Sequence, residues 1–252
     1  MRGRSYTAAV MLAGAGVMLS LSSPAAAQSG LGDAAKGTGA GLGAIGVALG
    51  IDKLLAGSPR WVDVTSFDIA GMKLDMTPEQ IRAAMVKNGF TPRKTDPVQA
   101  GYALSVRQEA AKRRQTSALG TDEEKVPMFT MAEGPQNEHI EVWYAATPDG
   151  ARANQIKFQI PTSRMTSDAF LSSVQSRYGE ATNPSRGSLL YCMKGERNCA
   201  YGNHTKPFLH ATSSYTTQDI ELRNGTEVSE RRAAAFAAAV DAAAPANAKA
   251  SF

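Results

Sequence analysis

Cysteine, histidine and long apolar runs are all scarce in this chain, and each scarcity closes off a class of function. The 252 residues include two cysteines and three histidines. That leaves little from which to build an imidazole- or thiolate-based centre. There is no G-x-S-x-G elbow, no S-x-x-K pair and no H-E-x-x-H helix, so no local signature of nucleophilic or zinc chemistry is present. No catalytic residue, metal or cofactor is therefore expected. Long basic runs are missing too. Lys112-Arg113-Arg114 is answered by Asp122-Glu123-Glu124, which reads as a solvated face, and no nucleic-acid partner is expected. The carboxylate pair Asp219 and Glu221 alternates outward on a strand and reads the same way. No apolar run is long enough to span a bilayer, which takes about 20 residues.

What the chain does have begins at its N-terminus. Arg2 and Arg4 precede an uncharged, mostly apolar run over residues 8–21, and Ala25-Ala26-Ala27 follows. This is the layout of a secretory signal peptide, with cleavage expected after Ala27. A periplasmic or secreted location follows. Without Arg2 and Arg4, 25 basic side chains face 23 acidic ones, so the mature chain is close to neutral. With 43% apolar residues it can bury a real core.

In an oxidising compartment the cysteine pair, Cys192 and Cys199, is expected to form a disulfide that staples a strand end to a Gly-containing turn. Closing so short a loop is worth about 2.5 kcal/mol. A redox pair would normally have the tighter C-x-x-C spacing, and a zinc site needs four ligands. His204 and His210 flank the same region, but the disulfide would consume the thiols.

Residues 28–59 form a Gly/Ala-rich segment. Gly41-Leu42-Gly43-Ala44-Ile45-Gly46 matches G-x-G-x-x-G, yet no buried strand precedes it, so it is not a dinucleotide fingerprint. Two readings stay open: a flexible linker, which is preferred, and peripheral membrane contact through residues 37–51. Globular texture starts near Trp61 and is expected to run over residues 60–225, with halves at 60–161 and 162–225. Residues 226–252 read as a C-terminal helix and tail. Thr77, Pro78 and Gln80 spell a capping box opening a helix striped by Ile81, Ala84, Met85 and Val86. A second helical pattern covers residues 98–117, and a third runs from Thr166 or Ser167 to Tyr178.

The clearest β region is His139-Ile140-Glu141-Val142-Trp143-Tyr144. After the turn Thr147-Pro148-Asp149-Gly150 comes a strand with Ile156, Phe158 and Ile160 on one face. The two should pair as an antiparallel hairpin. That pairing places Trp143, His139 and Glu141 on the wetter face beside Gln155, Lys157 and Gln159. A tryptophan among polar neighbours has the composition of an interface anchor, and Trp143, His139, Glu141 and Lys157 are the candidate binding residues. Further strands are expected near 188–193, 208–215 and 218–223.

Met76-Thr77-Pro78-Glu79 through Gly89 has an echo in Met165-Thr166-Ser167-Asp168 through Gly179. The motif from Gly71 to Ile81, and the helix end Arg177-Tyr178-Gly179-Glu180, resemble small exported bacterial envelope proteins. These are the SmpA/OmlA-type outer-membrane assembly lipoproteins and the β-lactamase-inhibitor-like modules. The resemblance implies helices packed on one face of a curved antiparallel sheet that serves as a protein-binding surface. Asp75 stands where the motif has glycine, no lipobox cysteine is present, and Ala181 replaces an expected proline.

The expectation is thus an α+β fold, helices on an antiparallel sheet in two tandem halves with a C-terminal helix. Its expected role is non-catalytic binding of another protein or envelope component. The alternatives are a periplasmic hydrolase with a site assembled from distant residues, and a membrane-associated oligomer built on the glycine-rich segment.

Overall fold

The computed structural model describes residues 60–244 except Asn198 and Tyr201. The expected signal peptide, the glycine-rich segment and the chain beyond Ala244 lie outside the described residues. Among the described residues four α-helices accompany an eight-stranded antiparallel sheet and a two-stranded one, an α+β architecture. The helices are α1 (Pro78–Lys87), α2 (Tyr102–Arg113), α3 (Ser167–Tyr178) and α4 (Thr226–Ala243). The main sheet holds β1 (Thr91–Pro92), β4 (Phe129–Glu133), β5 (His139–Thr147), β6 (Gly150–Pro161), β7 (Asn183–Ser185), β8 (Ser188–Cys192), β9 (Phe208–Ser213) and β10 (Thr217–Arg223). β2 (Val98–Ala100) pairs with β3 (Lys125–Pro127).

The strand order is β1-β4-β5-β6-β10-β9-β8-β7. One helix and four meandering strands run out to β6. A second helix and four strands run back from the far edge to β10, and the two sets join where β6 pairs with β10. The β2-α2-β3 segment is an insertion in the first set.

Local chemistry explains the helix ends. Thr77 accepts from the Gln80 N–H while the Gln80 side chain accepts from the Thr77 N–H, with Pro78 at the first position. Thr166 caps α3, and Gly179 ends it at φ 84°, where a Cβ would be strained. The second helix is shorter than the sequence pattern. Residues 98–100 pair with β3 instead, and the Gly101 N–H donates to the Glu124 carbonyl at 2.8 Å. At the start of α4 the loop before β9 crosses the helix end. The N–H groups of Thr226 and Glu227 donate to the carbonyls of His204 and Thr205. A Cβ on Gly225 would collide with the Thr205 carbonyl, so this crossing requires glycine.

The core lies between α1, α3 and one face of the main sheet. Ile81 and Met85 of α1, Phe170 and Val174 of α3, and Ile140, Val142, Ile156, Leu209, Leu222 and Tyr191 of the sheet belong to one contiguous buried cluster. The expected α1 stripe needs one correction: Val86 is exposed, because at 100° per residue it turns away from the Ile81–Met85 face. Under the sheet sits a polar chain. Tyr144 Oη donates to Thr130 Oγ1 (3.1 Å), Thr130 Oγ1 to Asp96 Oδ2 (2.6 Å), and Arg82 Nη2 to the same oxygen (2.7 Å). It ties α1 to β4 and β5, and burial pushes the Tyr144 hydroxyl up to about 12.

α2 and α4 pack on each other. Tyr102 meets Phe236 edge-on, and Arg113 pairs with Asp241 at 2.5 Å. Arg114 donates to the Ala243 carbonyl. Two members of the basic trio therefore bind α4 rather than only facing solvent.

Candidate functional site

The period-2 alternation of β4, β5, β6, β10, β9 and β8 puts one set of side chains into the core and the other on the opposite face. Cross-strand register arranges that opposite face in three rows. One row runs Phe129, Trp143, Gln155, Arg223, Phe208, Cys192. The central row runs Met131, Glu141, Lys157, Glu221, His210, Leu190. The third runs Glu133, His139, Gln159, Asp219, Thr212, Ser188. Apart from Ser188, Leu190 and Cys192, these residues are half-exposed or exposed.

The four candidate binding residues share this face. Trp143 is 37% exposed and leans on Phe129 with ring centroids 4.7 Å apart. Glu141 lies one pleat along β5, directly across from Lys157, and His139 lies one pleat further. Gln155, Lys157 and Gln159 stand opposite Trp143, Glu141 and His139, as the hairpin register predicted. Phe129 and Met131, supplied by β4, complete the apolar side of the patch. The sequence does not mark them out, because β4 is only five residues long and turns its larger apolar side chains, Phe129 and Met131, away from the core while Thr130 and Ala132 are buried.

The centre of the face is stitched laterally. Gln155 Nε2 donates to Glu221 Oε1 (2.9 Å) and Gln159 Nε2 to Asp219 Oδ1 (2.6 Å). Lys157 Nζ lies 3.7 Å from Asp219 and Arg223 Nη1 3.8 Å from Glu221. His139 Nδ1 is 3.0 Å from Glu133 Oε1. Glu141 alone among the carboxylates of this face has neither a hydrogen bond nor an ion pair among the described residues.

The other end of the face carries the disulfide. Cys192 and Cys199 are bonded, with Cα atoms 6.0 Å apart. The bridge closes the first part of the long β8–β9 connection rather than a tight hairpin. In that connection the buried Glu196 carboxylate accepts from the Lys206 N–H (2.9 Å) and from Thr205 Oγ1. His204 is buried against Phe208, ring centroids 4.2 Å apart. A pocket of about 190 Å³ is lined by Leu190, His204, Phe208, His210, Glu221 and Arg223, with Gly202. Burial holds both imidazoles below their ordinary value. Glu196 partly offsets this at His204, and the neighbouring His204 adds to it at His210.

His210 Nε2 lies 2.8 Å from Ser188 Oγ, the spacing of a nucleophile and its base. Ser188 is 4% exposed and is not among the residues that line the pocket. Asp122 and Glu124 sit on a short 3₁₀ turn, paired with Lys125 and Arg107. Among the described residues no group of three metal-ligating side chains converges, and no helix is long and apolar enough to cross a membrane.

No protein-family model, no curated protein and no solved structure matches this chain.

Proposed function

We propose that this is an exported, non-catalytic binding protein that docks another protein of the cell envelope on the open face of its sheet. The observation that carries the reading is the Trp143–Phe129 pair, half-exposed on a rigid eight-stranded platform and ringed by polar side chains. Rigid aromatic anchors inside a polar rim concentrate binding energy at protein interfaces. The sheet edges support docking on the face rather than strand addition. β1 and β7 are two and three residues long and each contains a proline, Pro92 and Pro184. Such edges offer few free N–H groups to a visiting strand.

Export through a signal peptide cleaved after Ala27, into the periplasm or medium, is part of this proposal. The disulfide supports it, since such bonds persist in oxidising compartments. Cross-linking capture from envelope extract tests the binding role. A defined partner is expected with the oxidised protein and should be lost with Trp143→Ala; an equal yield from the mutant overturns the reading.

The Ser188–His210 contact favours one alternative, hydrolysis. Labelling of Ser188 by a fluorophosphonate, abolished in His210→Gln, would establish that alternative instead.

A further inference from the structure

Resting on the binding role proposed above, the geometry points to a subsite for a cationic side chain of the protein partner, built by Glu141 with the Trp143–Phe129 ring pair. The unpaired Glu141 carboxylate carries the inference. On the same face Glu133 holds His139, Asp219 holds Gln159 and Lys157, and Glu221 holds Gln155 and Arg223. Lys157 stands directly across from Glu141 in register, yet its ammonium leans the other way, toward Asp219 on β10. Glu141 is thus left half-exposed without a partner, flanked in cross-strand register by Met131 on β4 and Lys157 on β6.

A carboxylate in that position can accept from an incoming cation without first giving up an internal partner. The next row along supplies the other half of a cation receptor. Trp143 and Phe129 are paired at 43° with centroids 4.7 Å apart, and Trp143 is the more exposed of the two. An arginine or lysine arriving there lays its aliphatic stem on Met131, its charge near the indole face and its N–H groups on Glu141. Charge on the whole face agrees. Glu133, Glu141, Asp219 and Glu221 outnumber Lys157 and Arg223 there, so the complement is basic.

The test uses the oxidised protein labelled with nitrogen-15 and short capped peptides Gly-Ser-X-Ser-Gly, with X as Arg, Lys, Gln or Glu. The readout is the indole N–H resonance of Trp143, assigned by its loss in Trp143→Phe. The Arg and Lys peptides are expected to shift it saturably, while the Gln and Glu peptides leave it in place. Glu141→Gln should weaken the Arg peptide by roughly fivefold, and Glu133→Gln by less than about twofold, since that carboxylate is already paired. Both variants change surface side chains and should keep a folded, dispersed spectrum. Equal shifts from the Gln or Glu peptide overturn the subsite, as does unchanged Arg affinity in Glu141→Gln. Equal losses in the two variants overturn it too, because they indicate a diffuse field. Trp143-dependent capture of an envelope protein alongside a failed Arg titration would sink the cationic subsite and leave the binding role standing.

Discussion

The two halves of the sheet use the same chain order, one helix followed by four meandering strands, and are secured by different means. The half running to β6 is held by a buried polar chain from Arg82 through Asp96 and Thr130 to Tyr144. It also carries the inserted β2-α2-β3 segment, on which α4 rests. The half ending at β10 has no such insertion. A disulfide and the Glu196 carboxylate order its one long connection. The aromatic pair and the free carboxylate lie in the first half, the buried His204 and the half-exposed His210 in the second. A shared topology thus leaves each half free to specialise, because the cross-strand ladder fixes the backbone whatever occupies the open face.

The sharpest way to break the comparison is to cut the same core from each side. Ile81→Ala on α1 and Phe170→Ala on α3 both empty fully buried positions of one contiguous cluster. Each should cost about 3–4 kcal/mol. Because the cluster is shared, each variant should melt in one transition when followed by both tryptophan fluorescence and far-ultraviolet dichroism. Two separated transitions would mean the halves fold apart.

A smaller effect separates the two fastening devices. Removing the disulfide with Cys192→Ser and Cys199→Ser should cost about 2.5 kcal/mol. Asp96→Ala should cost about 2 kcal/mol, less than a fully buried pair would, because Arg82 can reach solvent once released. Reductant should destabilise the wild type and Asp96→Ala equally, and leave the double cysteine variant unchanged. A wild type indifferent to reductant would contradict the bridge as a fastening.

The smallest effect is acid sensitivity confined to the second half. His204 and His210 are held below their ordinary value near 6.5 by burial, so the unfolded chain binds protons that the folded one refuses. Their contribution is therefore complete above about pH 6.5 and is lost as pH falls below it toward the lowered folded values. Urea midpoints measured at pH 7.5 and pH 5 should fall less in His204→Gln/His210→Gln than in the wild type. An identical fall would remove the histidines from the account.

Much of this was legible in residues whose signal is local. The Thr77–Pro78–Gln80 box, the Thr147–Gly150 turn and the alternation of His139 through Tyr144 each rest on contacts within a few positions. The same alternation placed Trp143, Glu141, His139 and Lys157 on one face. The β2-α2-β3 insertion was not legible, since its strands are three residues long and pair across α2. Phe129 was not legible either, because β4 buries Thr130 and Ala132 and turns Phe129 and Met131 outward; nor was the burial of His204, which depends on a loop crossing the start of α4.

By itself the sequence determined which residues alternate, where helices begin and stop, and that two cysteines lie within bonding reach, because spacing and side-chain chemistry act over one or two turns of chain. Only the tertiary structure decided which charges find partners. Lys157 had Glu141 directly across on β5, and on β10 it had Glu221 directly across and Asp219 one pleat along. It turned to Asp219, and that single choice left the carboxylate beside Trp143 free, because a long flexible ammonium settles where packed neighbouring strands put the best-placed acceptor.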